Sequence, residues 1–202
     1  MAANGTGPSL QLIDARQDTR RVANWAAVTG TTTNAPRNVL PLDATWRYWQ
    51  EDGDPAPGWT ETSYNDAAWP RGAALLYVEN ADLPGPKNTP LTLGPMSYRF
   101  RTRFPFDGNP DGASLQLQTV IDDGAAFYLN GRELGFRLGL PEGVVLERDT
   151  PASRTVADAI LEGPFVIPVD NLIRGENVLA VADPPDQPRQ LGHRVRPERR
   201  CP

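Results

Sequence analysis

Hydrophobic residues along this chain come in short runs that alternate with polar positions, and most runs close on glycine, proline, asparagine or aspartate. A period of two bounded by turn formers is the pattern of half-buried strands, and none of the runs is long enough for a packed helix. The pattern predicts strands over residues 45–49, 73–78, 97–104, 114–121, 125–129, 133–136, 165–169 and 177–182, and residues 9–14 alternate in the same way. The sharpest local signal is Asn130-Gly131, set between two alternating segments. A two-residue hairpin loop needs positive φ at both central positions, so this dipeptide predicts a type I′ turn. Gly175 marks a second turn, leading into the strand that contains Val178, Leu179 and Val181.

Composition supports an all-β reading. The 21 prolines and 18 glycines among 202 residues are spread between the apolar runs, as turn-rich β proteins require. The length suits one domain with appended segments. The predicted organisation is a linker-like extension over 1–38, the remnant of a neighbouring module, then a β-sandwich over 39–182 and a divergent tail over 183–202. Net formal charge is −5. Arg189, Arg194, Arg196, Arg199 and Arg200 outweigh Asp186 and Glu198 at the end, so the tail is basic and the body acidic. An acidic body argues against nucleic acid as partner, because phosphate contacts need clustered Lys and Arg. The one cysteine, Cys201, leaves no intrachain disulfide. No signal peptide is expected after Met1, and no run approaches the roughly 20 apolar residues of a membrane span.

Four blocks resemble a known family in order. Trp59 through Gly72, with Tyr64-Asn65-Asp66 and Trp69 inside it, is similar to the tryptophan-bounded loop of galactose-binding-like sandwiches. Tyr98-Arg99-Phe100-Arg101-Thr102-Arg103-Phe104, Asp122-Asp123-Gly124 followed by Tyr128-Leu129-Asn130-Gly131, and Asn177-Val178-Leu179-Ala180-Val181 resemble its later strands and hairpin. The resemblance implies a jelly-roll β-sandwich, a module of large secreted or cell-surface bacterial proteins that sits beside other domains of its parent. Residues 9–25 resemble the end of a lamin-tail-like domain.

The ending departs from that family. After Val181 the resemblance calls for a further apolar strand, whereas Asp183-Pro184-Pro185 opens a stretch rich in Arg and Pro that has no strand character. One choice of permitted codons for residues 183–202, read one nucleotide out of register, gives IHQTNPGSSDIVFGLNVDA, in which apolar residues alternate as a last strand requires. The expectation is a frame-shifted tail and a sandwich short of its last native strand. An unpaired strand edge would then favour a homodimer.

Candidate chemistry is sparse. Asp122 and Asp123, with Asp52 and Asp54 in an earlier loop, offer hard oxygen ligands suited to calcium; the competing reading makes Asp122 and Asp123 turn formers. Trp49 and Tyr98, with Trp59 and Trp69, supply aromatic faces on which a sugar ring could stack, and Asn130 and Arg137 supply hydrogen-bonding groups. For Trp59 and Trp69 the plainer role is to anchor the loop they bound. One His, His193, and one Cys cannot build a zinc site, and no glycine loop for nucleotide phosphates or haem-binding pattern is present. Two functions follow as expectations: a non-catalytic accessory module that binds carbohydrate or another small extracellular ligand, with structural calcium, or a calcium-dependent hydrolase of a small ester or lactone centred on Asp122 and Asp123. A structural spacer is the third.

Overall fold

The computed structural model describes residues 9–12, 25–28, 37–78, 82–92, 94, 97–147 and 150–183. The chain divides into two compact units, Met1–Asn38 and Val39–Pro202. In the first, β1 (Ser9–Leu12) and β2 (Trp25–Val28) pair antiparallel, with Ser9 opposite Val28 and Leu12 opposite Trp25. The stretch predicted to be frame-shifted lies outside the described residues from 184 onward, together with His193 and Cys201. So do residues 13–24 of the stretch that resembles a lamin tail, and the linker positions 29–36.

The second unit is a β-sandwich, and no helix occurs among the described residues. Among those residues, therefore, no helix is long and apolar enough to cross a membrane. Its strands are β3 (Thr45–Trp49), β4 (Arg71–Ala73), β5 (Leu76–Tyr77), β6 (Thr89–Pro90), β7 (Tyr98–Phe106), β8 (Leu115–Val120), β9 (Ala125–Leu129), β10 (Arg132–Leu138), β11 (Leu161–Ile167) and β12 (Gly175–Asp183). Six of them form one antiparallel sheet in the order β10-β9-β12-β7-β3-β4. β8 and β11 pair antiparallel as a small second layer, and β5 and β6 form a short parallel pair.

Strict alternation in β7 decides what each face of the large sheet presents. Phe100 and Phe104 point into the core, where they meet Phe127, Leu129, Leu179 and Val181 from β9 and β12, and Leu115, Leu117, Phe165 and Ile167 from the second layer. Arg99, Arg101 and Arg103, one residue out of phase, necessarily occupy the opposite face. Cross-strand register carries that division through the sheet: Arg101 lies opposite Ala180 on one side and Arg47 on the other, and Ala180 lies opposite Tyr128. The two layers are joined through stacked aromatics, with Phe136 5.6 Å from Phe127 and 4.7 Å from Phe165 between ring centroids.

The predicted Asn-Gly turn is present, with φ of 50° at Asn130 and 90° at Gly131, and Leu129 pairs directly with Arg132 across it. Strand ends shift by one or two residues in several places, and three departures from the sequence pattern are larger. The single strand expected over 73–78 is two, because Ala74 bonds back to the Ala44 carbonyl while Leu75 turns away to the Pro86 carbonyl. The strand expected over 165–169 begins at Leu161, since Gly163 and Pro164 are absorbed in a register shift between Glu162 and Phe165 rather than ending the strand. β6 carries no alternation, since it is only two residues long.

Candidate functional site

The outer face of the large sheet carries the arginines, and the tryptophan-bounded loop lies over it. Arg101, 1% exposed, donates to the Asp66 carboxylate at 2.9 Å, to the Glu61 carbonyl at 3.1 Å and to the Trp59 carbonyl. Arg99 pairs with Asp54 at 2.8 Å, Arg103 reaches the Thr62 carbonyl, and Arg47 donates to the Trp69 carbonyl at 2.7 Å. A buried guanidinium needs its donors satisfied, and loop carbonyls supply most of the partners here. The rings close over the same place. Trp69, 4% exposed, has Trp49 at 5.5 Å, Tyr64 at 5.8 Å and Trp59 at 6.4 Å, and Trp59 meets Tyr128 edge-on at 5.8 Å. The tryptophans that bound the motif are therefore loop anchors that meet over one sheet face. The alternating arginines of β7 were legible in sequence as the polar side of a strand; their loop partners, about 35 to 45 residues away, were not.

At the β9–β10 end of this face a different set of groups converges. Glu133 stands directly opposite Tyr128 across the hairpin. Arg137 returns to Glu133 with both ends of its fork, at 2.5 and 3.1 Å, and also donates to the Pro141 carbonyl at 2.5 Å and the Val144 carbonyl at 3.0 Å. The guanidinium is thus a clamp that holds residues 141–144 against β10 and presents Glu142 at the rim. A depression of about 200 Å³ opens there between Glu133, Gly135, Arg137, Glu142 and Gly143. It adjoins a second of about 140 Å³ lined by Arg132, Leu134, Pro168 and Asp170, the two sharing Glu133 and Gly135. Burial, reinforced by the Glu133 charge, holds the Tyr128 hydroxyl above its ordinary pKa, so it remains a hydrogen-bond donor at neutral pH. Its bond to Glu133 keeps Arg137 charged.

The four residues expected to bind a ligand do not form one site. Arg137 belongs to the depression just described. Trp49 shares the face but is turned into the ring cluster, donating from Nε1 to the Gly53 carbonyl at 3.0 Å. Tyr98 occupies the opposite, inner face; it is 8% exposed, stacked on Phe100, and donates from its hydroxyl to the Thr92 carbonyl. Asn130 directs its amide into the protein, donating to the Asn171 carbonyl at 2.7 Å and the Asn177 side chain at 2.8 Å and accepting from the Val178 amide. Tyr128, Glu133 and Glu142 were missed. The facing of Tyr128 and Glu133 was readable once the Asn-Gly turn set the register, since the two flank it symmetrically.

Of the carboxylates expected to hold calcium, those of Asp54 and Asp123 are engaged within the protein. Asp54 is paired with Arg99. Asp123, at φ 59°, accepts the Val156 amide on its carboxylate at 2.7 Å and Arg154 Nε on its carbonyl at 2.6 Å, while Arg154 forks onto Glu162 at 2.8 and 2.7 Å. Asp123 therefore shapes a loop, the turn-former role. Calcium takes six to eight oxygens, and among the described residues no three His, Cys, Asp or Glu side chains gather into a group that could hold a metal.

No family model and no curated protein matches the chain. Among solved structures it is similar to a beta-glucuronidase from glycoside hydrolase family 2, at 15% identity and a TM-score of 0.43 over 70% of this chain and 13% of that one. It is also similar to a beta-glycosidase from Bacteroides vulgatus, at 17% identity and a TM-score of 0.38 over 71% of this chain and 16% of that one. The chain spans less than a fifth of either protein.

Proposed function

We propose that this chain is a non-catalytic accessory module of galactose-binding-like type, carried by an exported parent protein, and that it binds carbohydrate at the β9–β10 end of its outer face. The observation that supports this reading is an open depression lined by Glu133 and Glu142, with Tyr128 standing opposite Glu133 across the hairpin and the Trp59 ring against Tyr128. Two carboxylates that accept hydrogen bonds and one phenol that donates suit the hydroxyls of a neutral sugar, and an aromatic wall suits its apolar face. Size narrows the ligand. Pockets that engulf a small molecule run to about 300–1,000 Å³, and a depression of about 200 Å³ is smaller. The ligand is therefore a residue or two of a longer saccharide laid across the surface.

Arg137 acts here as a positioning residue, because most of its donors are used within the protein. A glycan array followed by titration calorimetry on the full chain tests the reading. Tyr128→Phe removes one hydroxyl and no packing volume, so it should weaken binding of the best glycan by about five- to tenfold with the melting temperature unchanged. Retention of no glycan by the wild-type chain, or wild-type affinity in both Tyr128→Phe and Glu142→Ala, would overturn the assignment.

A further inference from the structure

We infer that β10 carries a second sugar subsite on the Arg132 side of Gly135, and that the ligand is a neutral saccharide of at least two units crossing the strand at that glycine; this rests on the carbohydrate-binding reading above. The observation behind it is the way β10 is interrupted. Glu133 pairs with Tyr128 and Arg137 with Ala126, so Leu134, Gly135 and Phe136 together stand opposite Phe127 alone. Leu134 and Phe136 pack into the core, and Gly135 between them is left exposed at φ 63°. A bulge of this kind re-aims the chain at one point. A Cβ at Gly135 would meet no atom within 4 Å, so no group of the protein stands above that point. β10 is also the terminal strand of the large sheet, and among the described residues it pairs with β9 alone.

The two depressions meet at this bare position. The one of about 200 Å³ holds Glu142, the one of about 140 Å³ holds Pro168 and Asp170, and Glu133 and Gly135 line both. A side chain at residue 135 would rise between them, whereas glycine leaves a passage. The second depression has its own equipment. Leu134 and Pro168 give it apolar surface, against which the face of a sugar ring can lie. Arg132 and Asp170 are exposed, and neither side chain makes a hydrogen bond or ion pair among the described residues. A guanidinium only donates and a carboxylate only accepts, while a sugar hydroxyl does both, so the two groups can serve one ring between them.

Charge decides the class of saccharide. Arg137 is bound to Glu133 and to two loop carbonyls, which leaves Arg132 as the free cation of the two depressions, against a carboxylate in each, Glu142 and Asp170. A uronate in the first depression would face Glu142 with no unengaged cation beside it, and like charges brought together select against it. Neutral units meet no such repulsion.

The test is titration calorimetry on the full chain with neutral gluco-, manno-, galacto- and xylo-oligosaccharides of one to four units, and with oligogalacturonate of the same lengths. In the neutral series that binds, affinity should rise at least about tenfold from one unit to two, the gain expected from one charge-assisted hydrogen bond. Asp170→Ala should abolish that step. So should Gly135→Asn, which accepts positive φ and places a side chain in the passage. Oligogalacturonate should bind at least about tenfold more weakly than the neutral series. Equal affinity for one unit and two in the wild-type chain, with Tyr128→Phe still weakening both, would overturn the second subsite and leave the carbohydrate reading standing. Survival of the step in Asp170→Ala, or tighter binding of the acidic series, would likewise overturn it. Binding in no series ends both.

Discussion

Arg101 shows how one side chain can hold a loop of this size. It is almost fully buried in a sheet where Ala180 and Arg47 are its cross-strand neighbours, and its charge is balanced by Asp66 and by two loop carbonyls. Removing one partner from a buried pair strands the other, so Arg101→Ala should cost about 3–5 kcal/mol. Arg101→Met, which restores volume but no donors, should recover only part of that. Urea unfolding followed by tryptophan fluorescence reads both, and a loss below about 0.5 kcal/mol in the alanine variant would mean that the loop is held by its rings instead. A second pair carries a pH signature. The hydrogen bond from Arg154, opposed by partial burial, lowers the Glu162 pKa below its ordinary value. A carboxylate depressed in the folded state stabilises it above the unfolded pKa of about 4.3, and that contribution is lost as pH falls through the folded value. Wild-type stability should therefore drop more steeply than that of Glu162→Gln below about pH 4.3, and parallel acid profiles for the two would contradict the pairing.

The β9–β10 hairpin is the element on which the candidate site depends, and its turn sets which residues face one another. Gly131 sits at φ 90°, where an added methyl would also meet Glu61 Cγ at 3.1 Å. Gly131→Ala should cost about 1–2 kcal/mol. Gly135→Ala, at φ 63° but facing open space, should fall at the lower end of that range. Thermal melts of the two variants compare them directly. Asn130 shows why the dipeptide signal understates its importance. Its positive φ was legible from the turn type, but its amide also ties the hairpin to Asn171, Asn177 and the Val178 backbone, residues about 40 to 50 positions later. Asn177, fully buried, closes that network onto Ile173 and Gly175. Local sequence revealed the turn, and the long-range bonds explain why no other residue could hold it as well.

At the scale of the molecule, stability is unevenly shared between layers. The large sheet has continuous ladders, with β12 paired along both edges, while among the described residues β8 and β11 pair only with each other. Two strands alone are marginal in water. Native-state hydrogen exchange should therefore show β8 and β11 amides opening at lower free energy than those of β7, β9 and β12, and Phe165→Ala should accelerate exchange in the small layer first. Uniform protection across both layers would show a single cooperative unit instead. The alternation of apolar and polar residues was enough by itself to determine an all-β chain, most of its strands and the Asn130-Gly131 turn, because period-two patterning and positive φ are properties of neighbouring residues. Only the tertiary structure decided the rest. It put Tyr98 on the inner face and Trp49 on the outer, gave the Asp54 and Asp123 carboxylates to Arg99 and the Val156 amide, set Tyr128 opposite Glu133, and brought Glu133 and Glu142 to one depression. Those outcomes depend on which strands become neighbours and which loops fold over them, and strand order is set by the burial of a whole core that no short stretch of sequence contains.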